Sequence, residues 1–527
     1  MKEKKKQLFI EFIMLFILSF LCITINSKNS FLYSFQDSSD IHSFFTVARG
    51  MAHGSVVYKD IFEIKGLYVF VLYFLSFWIS HNSFIGIYII EVFLFSLFLF
   101  FGYKTITLIS NNKILNIITI VLVAIESTVR SDFYAGGEVE ELCLAPVMIS
   151  IYLVLIIIRK WDENEKRKEA LYSAIIGACF GVVFWSKYTL TGMYLGAVIG
   201  IITIGIIKRD FMHVVKLALW FLVGMVVTTT PVLLYFHVND ALPDLWDAYF
   251  YTMLFKYSRI QGENLHLLKN IKHIVRWWLF IPLVSVILVP KRVIAIEIKI
   301  LTLFMLAFEV LGVACGNIWG YSREILFAFT VFWIVPFAFL LDEFRKKEAL
   351  YPRIHNQLEQ WKNEWNEKYR RILVKKKTRF FLYICIIAYI CVLIVIPSYT
   401  RCFMNWSEDD YVQYRIRDYI LARSTKETII LHFDMIDSGV YYLTGIEPPC
   451  RVFHTFNMFS AKELGYYDKY IYNRKADFVV STRQQTKLED LGYKKVIDEE
   501  QMYIHELGER HFVLYAREDL ADENKDE

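Results

Sequence analysis

Residues 2–26 read KEKKKQLFIEFIMLFILSFLCITIN: four lysines, then nineteen residues from Leu8 to Asn26 whose only charge is Glu11. A bilayer needs about 17 to 25 apolar residues per helix, so this stretch is long enough to cross one. Short loops rich in Lys and Arg stay on the cytoplasmic side, which places Lys2, Lys4, Lys5 and Lys6 inside. No A-x-A-like cleavage site follows, so the stretch is read as a retained first helix and not as a signal peptide. The same kind of run recurs near 84–101, 114–129, 141–158, 172–186, 190–207, 213–235, 275–290, 298–315, 325–341 and 379–397. The fold expected is a mostly α, polytopic membrane protein with about 11–13 transmembrane helices.

The 527 residues are 56% hydrophobic and only 21% charged, which excludes disordered, collagenous and nucleic-acid-binding classes. The net charge of +4 conceals two unlike parts: residues 398–527 carry a net −7 and residues 1–397 a net +11. Two domains are therefore expected, a basic membrane body over 1–397 and an acidic, water-soluble domain over 398–527. Basic segments at 159–168, 208–209, 291–292 and 345–378 read as cytoplasmic. That leaves 29–65, 130–141, 236–272 and 316–324 outside, and the last span delivers the C-terminal domain to the external face. The weak point is 66–79, which parity requires to be either re-entrant or a full extra crossing; a short or broken element is the reading favoured. In the tail, short apolar segments at 427–433, 437–444, 478–481, 495–497 and 512–515 alternate with helical stretches, the pattern of an α/β domain. Most cysteines lie in spans (Cys22, Cys143, Cys179, Cys315, Cys385, Cys391) and form neither a disulfide framework nor a metal-ligand spacing.

Ionisable groups at or in a membrane are costly, which makes them candidates for function. The first outer loop holds Asp37, Asp40, Asp60, Glu63 and Lys65. Its apolar residues Ile41, Phe44, Phe45, Val47, Ala48 and Met51 recur at helical spacing, as in an amphipathic helix on the outer interface. Asp40 near that helix start is equally an N-cap or a functional carboxylate. Glu138, Glu140 and Glu141 follow Gly136-Gly137 before a span, where they suit either the helix dipole or a polar cavity. Lys187 stands alone between apolar runs, by snorkelling or by function. Tyr321, Arg323 and Glu324 precede another span, and the planar fork of Arg323 suits a phosphate. Together these are acids and phosphate-binding bases on one membrane face, the equipment for moving a sugar off a lipid phosphate: a carboxylate takes the acceptor proton while a base neutralises the departing phosphate.

Asp40 to Leu67, with Tyr58-Lys59-Asp60-Ile61-Phe62-Glu63-Ile64-Lys65-Gly66-Leu67, resembles the first extracytoplasmic loop of GT-C glycosyltransferases. The likeness is to the bacterial branch related to protein O-mannosyltransferases and the lipid A aminoarabinose transferase. That loop opens with a catalytic Asp, the place of Asp40, and closes at a Lys that contacts lipid phosphate, the place of Lys65. Gly136 to Leu142 resembles the second acidic motif, with Glu140 aligned first and Glu141 next. Gly177 to Lys187 resembles a glycine-bearing span ending in Lys-x-Thr, Gly320 to Glu324 a Tyr/Arg-bearing loop, and Tyr441 to Gly445 the strand and turn of the tail domain. Leu67 replaces the usual Pro, Glu63 stands where Asp is common, and Ser322-Arg323-Glu324 lacks the common His-Tyr pair.

The resemblance implies a multi-spanning enzyme of the bacterial plasma membrane, N-terminus cytoplasmic and C-terminal domain external. It would transfer a hexose or pentose with inversion from a polyprenyl monophosphate donor to a hydroxyl of a cell-envelope glycan, lipid or protein, with no nucleic-acid partner. Asp40 is the expected base, with Glu140 beside it, and Lys65, Lys187, Arg323 and Tyr321 are expected around the donor phosphate. Either no cofactor is needed, or a divalent cation (Mg or Mn) is shared by Asp40, Glu140 and the phosphate. The C-terminal domain would contact the acceptor or cover the site. Two other readings are a flippase of lipid-linked sugars, which calls for Gly- or Pro-broken helices binding near mid-membrane, and a non-catalytic scaffold displaying the tail.

Overall fold

The computed structural model describes residues 2–162, 166–256, 267–275, 284–291, 293–316, 318–350, 400–454, 461–503 and 508–521. The span read at 379–397, the segment 351–378, residues 276–283 of the span read at 275–290 and residues 257–266 of the outer segment 236–272 lie outside these residues.

Nine helices follow in order: α1 (Lys2–Asn26), α2 (Ser39–Ala52), α3 (Leu67–Ile79), α4 (Ile85–Ile109), α5 (Lys113–Val129), α6 (Val139–Arg159), α7 (Lys166–Phe184), α8 (Gly192–Ile207) and α9 (Phe211–Val238). A helix over Ile296–Ala314 and a tightly wound segment over Gly320–Trp333, continued by Ile334–Leu350, complete the described bundle. Among the described residues six segments are long and apolar enough to cross a membrane: Lys5–Asn26, Ile85–Ile109, Val139–Arg159, Tyr188–Ile207, Phe211–Val238 and Gly320–Asp342. This is a multi-pass membrane protein. Its helices meet through glycine: a Cβ on Gly224 of α9 would lie 1.8 Å from the Ala174 carbonyl oxygen of α7, and one on Gly196 of α8 would lie 2.2 Å from that of Phe304. Such close backbone approach drives helix association in lipid, where apolar burial gives no advantage.

The parity problem at 66–79 resolves in space. α3 has 13 residues, about 20 Å of helix against a hydrocarbon core of about 30 Å. Both its ends sit at one end of the bundle. Gly66 N–H donates to the Ser186 carbonyl at 2.9 Å, just before α3; just after it, the Asn82 carbonyl accepts from Tyr442 Oη of the C-terminal domain at 2.8 Å. α3 therefore lies beside α2 without crossing.

α2 departs from expectation. Instead of floating on the interface, every residue from Ser39 to Gly50 is buried. Phe44 packs on Phe70 and Tyr73 and Phe45 on Phe77 and Phe84, which covers the apolar side. The polar side faces the C-terminal domain, where Thr46 Oγ1 donates to Asp437 (2.8 Å) and Arg49 to the carbonyls of Tyr441 and Ile446 (both 2.9 Å).

The C-terminal domain is built on a four-stranded sheet, order β1-β2-β4-β3, from β1 (Ile430–Phe433), β2 (Phe478–Ser481), β3 (Tyr493–Tyr503) and β4 (Gly508–Arg517). β1 pairs parallel to β2; the other pairings are antiparallel. Four of the five expected strands are found. The fifth, 437–444, is a helical turn over Val440–Thr444, bracketed by Gly439 (φ 91°) and Gly445 (φ 72°). These left-handed glycines break an extended path at both ends, and Asp437 closes the turn by accepting the Gly439 N–H at 2.8 Å.

A buried ion pair of the first loop packs against the C-terminal domain. Lys28, just past α1, donates to Asp37 at 2.6 Å, both side chains fully buried, and its ammonium sits 3.8 Å from the centre of the Phe403 ring. Burial draws the Lys28 ammonium below its usual range, against the pull of Asp37. Breaking a buried pair on one side strands the other charge. Lys28→Met or Asp37→Leu alone is expected to destabilise by about 3–5 kcal/mol. The double replacement should recover much of that loss, read as melting temperature in detergent.

Candidate functional site

The site forms where α1, α5, α7 and α9 end and α3, α4, α6 and α8 begin. Gly136 and Gly137 both take positive φ (82° and 81°), and a Cβ on Gly136 would lie 2.2 Å from Ser27 Oγ and 2.5 Å from Glu91 Oε1. Only glycine fits there, and this turn sets the approach of Glu138, Glu140 and Glu141. All three acids are buried, with different duties. Glu141 folds back to accept the Gly137 N–H at 2.6 Å and shares a hydrogen bond with Glu91, itself held by Ser27 and Asn29. Glu140 accepts from Lys187 Nζ at 2.6 Å. Glu138 accepts from Ser38 Oγ at 3.1 Å, and burial, with repulsion from Asp40 and Glu140, pushes its carboxyl well above the usual range, toward the neutral form.

Asp40 lies in the first turn of α2, where Ser38 holds the N-cap position. It accepts from Tyr321 Oη at 2.7 Å and faces Lys65 Nζ at 3.8 Å. The Tyr321 ring also lies 5.7 Å below the Lys187 ammonium and 5.6 Å from the Tyr134 ring. Asp40, Lys65, Tyr321, Lys187, Glu140 and Glu138 thus form one contiguous patch drawn from five separate segments. Arg323 stands at its edge, donating to Asp132 from Nε at 2.6 Å and engaging the same carboxylate through a second nitrogen; its Nη1 has no hydrogen-bond partner among the described residues.

The two lysines are placed by backbone. Residues 65–68 run against 185–186: besides the Gly66 to Ser186 bond, Tyr68 N–H donates to the Trp185 carbonyl at 3.2 Å. A Cβ on Gly66 would fall 2.0 Å from the Trp185 oxygen. Tyr58 stacks on Phe236 (centroids 5.4 Å apart) and donates to the Lys65 carbonyl at 2.5 Å, while Tyr249 stacks on Trp185 and donates to the Phe184 carbonyl at 2.5 Å. An aromatic column therefore backs both lysine-bearing strands of chain.

The remaining candidates lie elsewhere. Asp37 belongs to the Lys28 pair, and Asp60 caps a turn by accepting the Val56 N–H at 2.8 Å. Glu63 is buried, bonded to Ser43 Oγ at 2.8 Å and to the Ile64 N–H at 2.7 Å. Burial alone would raise its carboxyl, but His454 and Lys65 outweigh it and hold it below the usual range. Among the described residues no group of three or more His, Cys, Asp or Glu side chains is arranged to hold a metal ion. The two carboxylates that a cation would use, Asp40 and Glu140, already face lysines, so this donor set does not suit one.

Sequence reading passed over Asp132, Glu91 and Lys28. Glu91 carried a usable signal, a lone acid inside an apolar span. Asp132 and Lys28 carried none, since each gains its meaning from a partner that folding brings to it.

The contact at Gly66 generates a test. Gly66→Ala must push its methyl into backbone, so the 65–68 and 185–187 segments separate. Expected is a loss of activity of about 100-fold, the scale of a 1 Å misplacement at a site, with a lowered melting temperature; an active, wild-type-stable Gly66→Ala protein contradicts the account.

No protein-family model matches the chain, and no curated protein matches it in sequence. In three dimensions it is similar to ArnT from Cupriavidus metallidurans bound to undecaprenyl phosphate, with a TM-score of 0.59 and 11% identity over 98% of this chain and 99% of that one. It is similar also to ArnT from Cupriavidus metallidurans in the apo state, with a TM-score of 0.53 and 10% identity over the same shares. At such identity the likeness is one of fold, and it runs along nearly the whole chain: the chain has the fold of ArnT from Cupriavidus metallidurans.

Proposed function

We propose that the protein transfers a sugar from a polyprenyl monophosphate carrier to an acceptor hydroxyl, with inversion, at the external face of a bacterial plasma membrane. The acceptor is a cell-envelope glycan, lipid or protein. The carrying observation is the Asp40 carboxylate held by Tyr321 and facing Lys65, in one patch with the Glu140–Lys187 pair. A fold whose solved example binds undecaprenyl phosphate adds support. The external orientation rests on the lysines at the start of α1, whose far end, Asn26, reaches the site end of the bundle.

The chemistry is a single displacement. Asp40 accepts the proton of the acceptor hydroxyl as its oxygen attacks the anomeric carbon, and the carbon–oxygen bond to phosphate breaks on the opposite face. The charge left on the polyprenyl phosphate is met by Lys65 and Lys187, with Arg323 at the margin. Tyr321 fixes the Asp40 carboxylate, and Glu140 keeps Lys187 in place between turnovers. Glu138, drawn toward its neutral form, sits beside them without adding a full charge that would repel the phosphate. No covalent intermediate is needed, since one base, one stabilised leaving group and correct orientation suffice.

Purified protein given a polyprenyl-phosphate sugar and an acceptor extract should transfer the sugar. Asp40→Asn, which keeps size and the Tyr321 contact, should lower that rate by about 100- to 10,000-fold with expression and melting temperature unchanged. Wild-type turnover by Asp40→Asn would remove the assignment of the base.

A further inference from the structure

One segment of the C-terminal domain, Arg451 to His454, meets the loop that carries Lys65. The Phe62 N–H donates to the Arg451 carbonyl at 2.7 Å, and Arg451 Nε donates to the Tyr58 carbonyl at 2.6 Å. Two residues on, His454 Nε2 stands 3.7 Å from Glu63 Oε2, with both side chains nearly fully buried. These contacts grip the loop that carries Lys65. The grip extends to the base, because Glu63 Oε2 also accepts from Ser43 of α2, one helical turn beyond Asp40. Glu63 is thus a junction: one carboxylate bonds the helix of Asp40, lies two residues from Lys65 and meets the histidine of the other domain.

The histidine is itself firmly mounted. His454 forms a bridge with His432 of β1, whose N–H donates to the Phe453 carbonyl at 3.4 Å, and Tyr441 Oη donates to the same carbonyl at 3.3 Å. The charged and titratable groups around it are Glu63 from the first loop, His432 from β1, and Asp437, which is bonded in turn to Thr46 of α2. A group so placed does not touch a substrate, and nothing in the displacement chemistry uses it.

We propose that the segment Arg451 to His454 is a clamp by which the C-terminal domain positions the Asp40–Lys65 pair, with His454 acting through Glu63 as a positioning residue. This rests on the sugar-transfer reading for its consequence but not for its geometry. A carboxylate bonded to Ser43 of α2 and to the Ile64 N–H, and facing the His454 ring at 3.7 Å, has little freedom, so Asp40 and Lys65 keep their 3.8 Å separation only while the domain is docked. The C-terminal domain is then a part of the catalytic apparatus and not a passenger on it.

The test uses the full-length protein in detergent and three variants. His454→Phe fills the space but cannot donate, His454→Gln restores an N–H donor, and Glu63→Gln alters the junction. Amide hydrogen exchange should quicken over 40–46 and 60–66 in His454→Phe, with strands β2 to β4 unchanged, and return toward wild type in His454→Gln. In the transfer assay His454→Phe should lose about 100-fold in kcat, His454→Gln should recover at least about tenfold of it, and the double variant with Glu63→Gln should be no worse than the worse single. Unchanged exchange at 40–66, equal loosening of the sheet, or losses that multiply in the double variant would overturn the clamp. If His454→Phe does not fold, Glu63→Gln carries the same exchange test. Should the wild type itself fail to transfer, the sugar-transfer reading falls, and the exchange result alone decides the clamp.

Discussion

At the site end of the bundle the buried Lys28, Lys65 and Arg323 and the partly buried Lys187 each face an acid: Lys28 with Asp37, Lys65 with Asp40, Lys187 with Glu140 and Arg323 with Asp132. A buried charge without a partner costs several kcal/mol, so these pairings dictate which segments must come together. Each of the last three joins parts of the chain far apart in sequence. The same pairs leave the site charged yet compensated.

The constraint explains why the first loop is not at the lipid surface. A helix carrying Asp40, His42 and Arg49 among aromatic residues has two faces that each demand cover. α3 and α4 supply the apolar cover, and the C-terminal domain supplies acceptors for Thr46 and Arg49. With α2 held between them, the loop after it is pinned at both margins, by 185–186 on the bundle side and by 451–454 on the domain side.

Much of this was readable in advance. The apolar runs placed most of the described helices, four of five strands of the tail appeared where short apolar segments stood, and Asp40, Lys65, Tyr321, Lys187 and Glu140 did converge. The errors share one cause. α2 looked interfacial because amphipathicity reports that one face is polar without saying whether water or protein will meet it. The stretch 437–444 looked extended because its apolar content outweighed the two glycines that break it. The segment 66–79, by contrast, reads as a short or broken element and is a short helix.

Hydropathy, lysine distribution and the −7 tail determined by themselves that the chain is a multi-pass membrane body with a separate polar domain, since the cost of placing charge in hydrocarbon is a property of each residue alone. Tertiary structure decided which charges share a site, that α3 does not cross, and that Glu63 belongs to a junction with His454 instead of to the reacting groups. Those outcomes depend on the partner at a few ångströms, and whether a carboxylate meets a lysine, a tyrosine or a histidine is settled only when chain segments hundreds of residues apart are brought into contact.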